Sequence, residues 1–398
     1  MTAEHSGHEL VGAVVELDVG PVAHGGHCVA RHEGQVVFVR HAIPGERVRA
    51  RVTEQTTKYL RADAVEILDP SPHRVEPPCP YAGPGRCGGC DFQHVAIAEQ
   101  RRLKAQVVTD TLRRIGRIDY DVVMESVPGD DGLGWRSRMR YAVSGGRPGM
   151  YQHRSHDLVP VDRCLLADPA GPRVLDRTWP DADAVQTVLS SAGESAVAAG
   201  EDDGGRVHEI VRDRRFRVDA TGFWQVHPAA ATTLVDAVLT ALAPRPGETA
   251  LDLYSGVGLF AAFLADAGCA VLAVESDAAA VRNARRNLHD LPAVTIESGR
   301  VGRVLRSAVR QGLESVDLVV LDPPRTGAGP DVVRAIADLT PRRVAYVACD
   351  PAALARDLRV FLDAGYELSG LRAFDLFGMT HHIECVAVLN YGLDRSSR

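Results

Sequence analysis

The chain has 398 residues, 45% of them hydrophobic and 24% charged, with a formal net charge of −7. That length points to two or three domains of ordinary globular composition, and the charge excludes a surface coated uniformly for nucleic acid, although local clusters can still serve one. No apolar run of about 18 residues is present, which excludes a helical membrane span, and Met1 to His8 lack the apolar core of a signal peptide, so the cytoplasm is the expected compartment.

Val11 to Leu17, Gln35 to Arg40, Arg47 to Thr53 and Ala62 to Ile67 alternate apolar and polar residues, with turns at Gly25-Gly26 and Pro44-Gly45-Glu46. Short strands at this pitch predict a small OB-like barrel over residues 1–70, a common oligonucleotide platform. Asp69 to Pro80, rich in proline, reads as a linker.

A cysteine-bearing segment follows and opens a small mixed α/β domain over 71–224. Eight cysteines occur in the chain, at 28, 79, 87, 90, 164, 269, 349 and 385. Disulfides are not expected in a cytosolic protein, so clustered cysteines suggest a metal or a cluster. Cys79 and Cys87-Gly88-Gly89-Cys90 lie in a Pro- and Gly-rich loop, and Cys164 is the candidate fourth thiol. Four thiolates suit tetrahedral zinc or a [4Fe–4S] cluster, and spacing does not separate the two. The CxxxCxxC pattern of a radical enzyme is absent. Cys28, Cys269 and Cys385 stand singly in apolar surroundings and read as core residues.

Val95 to Ile115 has helical spacing with basic residues on its polar face and is expected to pack on the carboxy-terminal domain. Arg136, Arg138 and Arg140 alternate along a predicted strand, a row of guanidiniums suited to phosphate contact. Thr178 to Gly205, rich in Ala and Asp, predicts a helix followed by a mobile loop. From Ala229 strands and helices alternate, with strands expected at Ala250 to Leu253, Ala270 to Glu275, Val316 to Leu321, Arg343 to Ala348, Tyr366 to Phe374 and Ile383 to Leu389. Helices at Leu259 to Ala267, Ala278 to Leu288, Val332 to Ala337 and Pro351 to Ala364 complete a doubly wound, Rossmann-like α/β domain over 225–398.

Ligands bind such a sheet at the carboxyl ends of its strands. Asp252-Leu253-Tyr254-Ser255-Gly256-Val257-Gly258 ends the first strand, and Gly256 and Gly258 let a cofactor approach the backbone. The third glycine of the dinucleotide fingerprint is missing. Glu275 ends the next strand, placed to accept hydrogen bonds from ribose hydroxyls. This pattern resembles the S-adenosylmethionine site of class I methyltransferases. Farther on, Leu321-Asp322-Pro323-Pro324-Arg325, Val347-Ala348-Cys349-Asp350-Pro351 and His381-His382-Ile383-Glu384 supply a thiol, a carboxylate and a rigid turn, which point to covalent catalysis. Pro351, starting a helix, would favour the Cys349 thiolate through the helix N-terminal field.

Ala30-Arg31-His32-Glu33-Gly34, Cys87 to Gln93, Phe223-Trp224-Gln225-Val226, Asp252 to Gly258, Leu321 to Arg325, Tyr346 to Asp357 and His382-x-Glu384 together resemble the RNA uridine C5-methyltransferase family. The resemblance covers nearly the whole chain and runs closest to the 23S ribosomal RNA enzymes that carry a TRAM (OB-like) domain and an iron–sulfur cluster. It implies Cys349 as the nucleophile that adds to uracil C6 and Glu384 as the base that removes the C5 proton. Asp322 and Arg325 would hold the base edge. Gln225, Tyr254, Gly256, Gly258, Glu275 and Asp322 would contact S-adenosylmethionine, and Cys79, Cys87, Cys90 and Cys164 would hold a [4Fe–4S] cluster, with zinc as the alternative. The implied partner is RNA, 23S ribosomal RNA foremost, with its target uridine flipped out, and the expected state is a monomer. The alternatives are the same chemistry on transfer RNA and a non-catalytic RNA-binding or assembly factor. An adenine N6-methyltransferase needs an aromatic after the two prolines, where Arg325 stands. The chain departs from the family pattern in its longer gap between Cys79 and Cys87, in Tyr254-Ser255, and in Arg300 and His227 where acidic or amide residues are usual.

Overall fold

The computed structural model describes residues 10–127 and 131–392. Five strands form the amino-terminal sheet: β1 (Val14–Asp18), β2 (Cys28–His32), β3 (Gln35–Arg40), β4 (Arg47–Gln55) and β5 (Tyr59–Asp69), in the order β1-β4-β5-β3-β2. Along β4 exposed and buried residues alternate, so Val48, Ala50 and Val52 all face one core with Val37, Val39 and Leu60. Beyond β1 the Gly20 N–H donates to Val29 O and the Val29 N–H donates to Pro21 O, which draws β2 toward β1. The proline-rich stretch after β5 is anchored rather than free. Arg74 grips the buried Glu46 of the barrel through two bonds of 2.6 Å.

The predicted amphipathic helix is α1 (Ile97–Thr111), extended by a π turn over Leu112–Gly116. It packs against the carboxy-terminal part of the chain: the buried Lys104 donates to Asp375 at 2.6 Å and to the Phe377 carbonyl at 3.0 Å. Truncating one partner of such a buried pair costs roughly 3–5 kcal/mol, so this is a firm joint. β6 (Met124–Ser126) then adds to the edge of the catalytic sheet, parallel to its neighbour.

β7 (Arg138–Ser144), β8 (Arg147–Tyr151), β9 (Leu158–Pro160), β10 (Ala184–Leu189) and β11 (Ser195–Ala199) form a second sheet in the order β11-β10-β7-β8-β9. The helix and mobile loop expected over 178–205 are therefore strands. Val185, Thr187 and Ala196, Ala198 alternate inward, and pairing with β7 overrides the alanine-rich composition. β12 (Arg206–Val211) and β13 (Arg214–Asp219) make a hairpin that sends Phe216 and Val218 into the main core.

After α2 (Ala230–Leu242) comes the doubly wound part: β14 (Thr249–Leu253), α3 (Leu259–Asp266), β15 (Ala270–Glu275), α4 (Ala278–Asn287), β16 (Val294–Ser298), α5 (Val301–Arg310), β17 (Leu318–Leu321), α6 (Pro330–Ala337), β18 (Arg343–Ala348), α7 (Pro351–Asp363), β19 (Tyr366–Asp375) and β20 (Glu384–Tyr391). The sheet runs β16-β15-β14-β17-β18-β20-β19-β6, with β16 to β18 parallel and β20 inserted antiparallel beside β18. All four residues of β17 are buried, as expected for a parallel strand covered on both faces. One face carries α2 and α3, the other α1, α6 and α7. Among the described residues no helix is long and apolar enough to cross a membrane.

Candidate active site

Strand register assembles the site. In the antiparallel pair of β18 and β20, Ala348 faces Cys385, so the next step of the register sets Cys349 across from Glu384. In the parallel pairs, Leu321 lies beside Tyr346 and beside Leu253, which brings Asp322 and Asp252 to the same rim. A thiol and three carboxyls from four strands thus converge at one edge of the sheet.

Their surroundings hold protons on. Glu384 is 3% exposed, and burial followed by the nearby Asp322 raises its carboxyl well above the usual range. Burial raises Asp322 to about 7. Asp252 is likewise raised to about 7 by burial, with Asp322 and Glu275 adding to the shift. The Cys349 thiol rises to about 11, through burial first and then Glu384 and Asp322, against a lowering by Arg325. The start of α7, expected to favour the thiolate, is outweighed by burial and the neighbouring acids. Arg325 is exposed and reaches His382 Nε2 at 3.5 Å. His382 is lowered to about 3 by burial, His381 and Arg325, and so stands neutral.

The cofactor turn is built by the glycines and the acid beyond them. Gly258 begins α3 with a φ of 91°, a left-handed conformation that favours glycine. The Gly256 N–H donates to Glu275 at 2.9 Å, and the other Glu275 oxygen accepts from Ser276 and Asp277. Tyr254 takes a φ of 64° and walls a cavity of about 460 Å³ together with Val274, Ser276, Arg300, Val301 and Gly329. Asp252 Oδ2 accepts from the Ala261 N–H at 2.8 Å, while its Oδ1 and Ser255 Oγ are buried without hydrogen-bond partners. Buried polar atoms left without partners at this turn fit a ligand with hydroxyl and amino groups. Gln225 lies half-buried in a loop pinned on both sides, by the buried Trp224 and by Val226 O, which accepts from Ser137. His227 stacks on Trp135 at 5.9 Å and accepts from the Ala229 N–H before α2, a packing role. A larger cavity, about 990 Å³ and lined by Arg212, Arg214 and Arg217 among others, contains none of the predicted site residues.

The residue that sequence reading missed here is Asp357. Its Oδ2 accepts from Tyr346 Oη at 2.6 Å, Ala328 N at 2.8 Å and Gly329 N at 3.2 Å. It thereby fixes the segment after the Asp-Pro-Pro-Arg turn, one wall of the 460 Å³ cavity. A buried-strand tyrosine with an aspartate one helix later was the available signal.

The four cysteines of the second domain are free thiols. Burial raises Cys87, Cys90 and Cys164, and proximity to one another adds to it: Cys87 feels Cys164 and Cys79, and Cys90 feels Cys164 and Cys87. N–H donors point at the sulfurs, from Gly89 to Cys87 at 3.5 Å and from Gln93 to Cys90 at 3.3 Å. Among the described residues no group of three His, Cys, Asp or Glu side chains is arranged to hold a single metal ion. The arginine row departs from expectation. Arg138 is 9% exposed and locked to Glu209 at 3.1 Å and to the carbonyls of Ala220 and Gly222. Arg136 lies over Trp135, and Arg140 alone of the three is exposed. Arg138 is spent inside the protein because β7 is flanked by the β12–β13 segment.

Comparison with known proteins bears on this arrangement. Residues 8–65 match the TRAM domain, and residues 206–391 match the tRNA (uracil-5-)-methyltransferase family. An uncharacterized RNA methyltransferase of Streptomyces coelicolor is 49% identical over 96% of this chain and 93% of its own length. One of Bifidobacterium longum is 36% identical over 94% of this chain and 96% of its own. The crystal structure of a Pyrococcus abyssi tRNA (uracil-54, C5)-methyltransferase in complex with S-adenosyl-L-homocysteine superposes with a TM-score of 0.72 at 22% identity, covering 94% of this chain and 99% of that one.

Proposed function

Because the chain belongs to the RNA uracil-5-methyltransferase family and uses S-adenosylmethionine, we propose that it methylates C5 of a uridine in 23S ribosomal RNA through a transient bond between Cys349 and uracil C6. The observation that carries this reading is the register that sets Cys349 opposite Glu384 with Asp322 beside them. When bound, S-adenosylmethionine supplies an electrophilic methyl group on a cationic sulfonium.

Uracil C5 is too weak a nucleophile to take that methyl unaided. The Cys349 thiol releases its proton to solvent, and its sulfur forms a bond to C6, which places enolate charge on the ring and makes C5 nucleophilic. Asp322, Arg325 and the neutral His382 line the edge on which the ring's polar groups would rest. With C5 methylated, Glu384 removes the remaining C5 proton, the C5–C6 double bond re-forms, and the C6–S bond breaks to return the thiolate. Both partners must come within reach of a half-buried sulfur, so the uridine has to leave its stack.

We further propose that Cys79, Cys87, Cys90 and Cys164 hold a [4Fe–4S] cluster. Four cysteines without disulfides, with N–H groups aimed at the sulfurs of Cys87 and Cys90, support this reading, with zinc as the alternative. The cluster would tie the 79–90 loop to Cys164; iron and sulfide in protein purified without oxygen would support it, and their absence would refute it. The same chemistry on transfer RNA is the second reading, favoured by the likeness to the Pyrococcus enzyme over 94% of the chain.

Labelled S-adenosylmethionine incubated with total RNA from a strain lacking the protein tests the proposal. Label is expected in 23S ribosomal RNA as 5-methyluridine. Cys349→Ala should abolish it, and Glu384→Gln should leave a denaturation-resistant protein–RNA adduct because elimination stalls. Incorporation that survives in Cys349→Ala removes the covalent step; label confined to transfer RNA selects the second reading.

A further inference from the structure

Between β1 and β2 the barrel makes a tight turn, Ala23–His27, closed by the Ala23 N–H donating to His27 O at 2.7 Å and the Gly26 N–H donating to Ala23 O at 3.2 Å. From this turn His24 reaches across to the catalytic rim, where its Nε2 lies 3.2 Å from Asp350 Oδ2. Asp350 follows Cys349 directly, and its other oxygen accepts from the Ala353 N–H at 2.7 Å, capping α7. One carboxylate is therefore shared between the helix that follows the thiol and the barrel. Burial pushes that carboxyl upward, but the hydrogen bonds from His24 and Ala353 outweigh it and keep it below its ordinary range.

The same turn touches the opposite wall. A Cβ on Gly26 would lie 2.9 Å from His381 Cβ and 3.0 Å from Asp91 Cβ, too close for any side chain without displacement. His381 Nδ1 in turn sits 2.6 Å from Asp91 Oδ2, and Asp91 Oδ1 takes Arg40 of β3 at 3.4 Å. The rings of His24 and His381 meet edge to face at 6.4 Å. The barrel turn is thus wedged between the Cys349–Asp350 turn and the loop that leads to Glu384.

We propose that the barrel is part of the catalytic machinery, with His24 as a positioning residue that holds the Cys349–Asp350 turn in attacking geometry through Asp350 only while the barrel is seated. The inference rests on the uridine-methylation reading above and goes beyond it, because it assigns the barrel a task other than gripping RNA. Placement errors of about 1 Å at reacting atoms cost up to about a hundredfold in rate, so a link one residue from the sulfur has leverage.

The test uses the full chain as wild type, His24→Ala, His24→Gln and Gly26→Val, in single-turnover methyl transfer to total RNA from a strain lacking the protein. His24→Ala should slow transfer about tenfold at unchanged RNA affinity and unchanged melting temperature. His24→Gln, which keeps a donor for Asp350, should recover most of the rate, whereas Gly26→Val should lose as much as His24→Ala. A His24→Ala rate equal to wild type overturns the proposal. So does a loss that glutamine does not relieve and that matches a fall in RNA affinity, since His24 would then be only an RNA contact. Should Gly26→Val not fold, the two His24 variants still decide. If wild type itself transfers nothing, the methylation reading fails separately. Peptide-resolved alkylation of Cys349 by iodoacetamide without RNA then decides this one: a severalfold faster reaction in His24→Ala supports it, and an unchanged rate overturns it.

Discussion

Cys349, Asp322 and Glu384 share one small volume of low polarity, and their charges oppose one another. With both carboxyls raised by burial, and Glu384 further raised by Asp322, the base keeps its proton to higher pH than an ordinary carboxyl does. The sign is that of a raised carboxyl: the base form is absent at low pH and appears only as pH rises above the ordinary carboxylate range. Single-turnover release of the methylated product is therefore expected to rise with pH above the ordinary carboxylate range and then level, falling about tenfold per unit on the acid side. Rapid-quench measurements between about pH 6 and 8 check this; a flat profile would contradict the assignment of Glu384 as base. The raised Cys349 thiol, at about 11, pulls in the same direction. A cationic sulfonium nearby would lower all three groups, so the cleft is set to ionise when its methyl donor arrives.

Among the elements, the loop behind β17 shows how one helix positions another's chemistry. Asp357 of α7 accepts three hydrogen bonds, two of them from the backbone of Ala328 and Gly329. Asp357→Ala leaves the Gly329 N–H and the hydroxyl proton of buried Tyr346 unmatched, while the Ala328 N–H keeps Tyr346 Oη at 3.2 Å, at about 1–3 kcal/mol for each group left without water. S-adenosylmethionine affinity should fall roughly tenfold by titration calorimetry, with Cys349 alkylation unaltered; unchanged affinity would show that the loop holds its shape without Asp357. Sequence reading located the Asp-Pro-Pro-Arg turn and both strands flanking it because parallel core strands are continuous apolar runs. It did not predict α5, whose arginines at 303, 306 and 310 mask a short apolar stripe. It mistook β10 and β11 for a helix and loop, since an alanine-rich strand owes its conformation to its partner. Arg138 was misjudged for a related reason: an alternating arginine row looks the same whether a face meets water or a buried glutamate.

For the whole molecule, the junction of barrel, cysteine loop and catalytic loop is crowded with imidazoles. Burial lowers His27 and His41 to about 3 and His94 and His153 to about 4. Around His27 stand Arg61, Arg40 and His153, which lower it further, and Asp91, which opposes them. The unfolded chain takes up protons below about 6.5 while the native protein does not, so these groups make stability fall as pH drops through 6.5 toward 3. Between about pH 7 and 5, His27 alone contributes a loss of about 2 kcal/mol. Asp252, Asp322 and Glu384, held protonated in the native state, work in the opposite sense over the same range. Calorimetry should therefore show a smaller fall in melting temperature from about pH 7 to 5 in His27→Asn than in wild type; an equal fall would mean that the junction opens before it is charged.

Motifs, strand runs and the glycine turn were all legible in the amino-acid sequence because each is a local pattern: a thiol before Pro351, an acid at a strand end, an alternation of apolar residues. Those patterns determined the fold class, the cofactor turn and the candidate catalytic groups. Distance was not legible. That Cys349 stands opposite Glu384, that Lys104 closes on Asp375 some 270 residues away, that Arg138 is consumed internally and that His24 of the barrel meets Asp350 are all outcomes of register and docking. Contacts between segments remote in sequence depend on which surfaces bury together, and only the assembled core decides that.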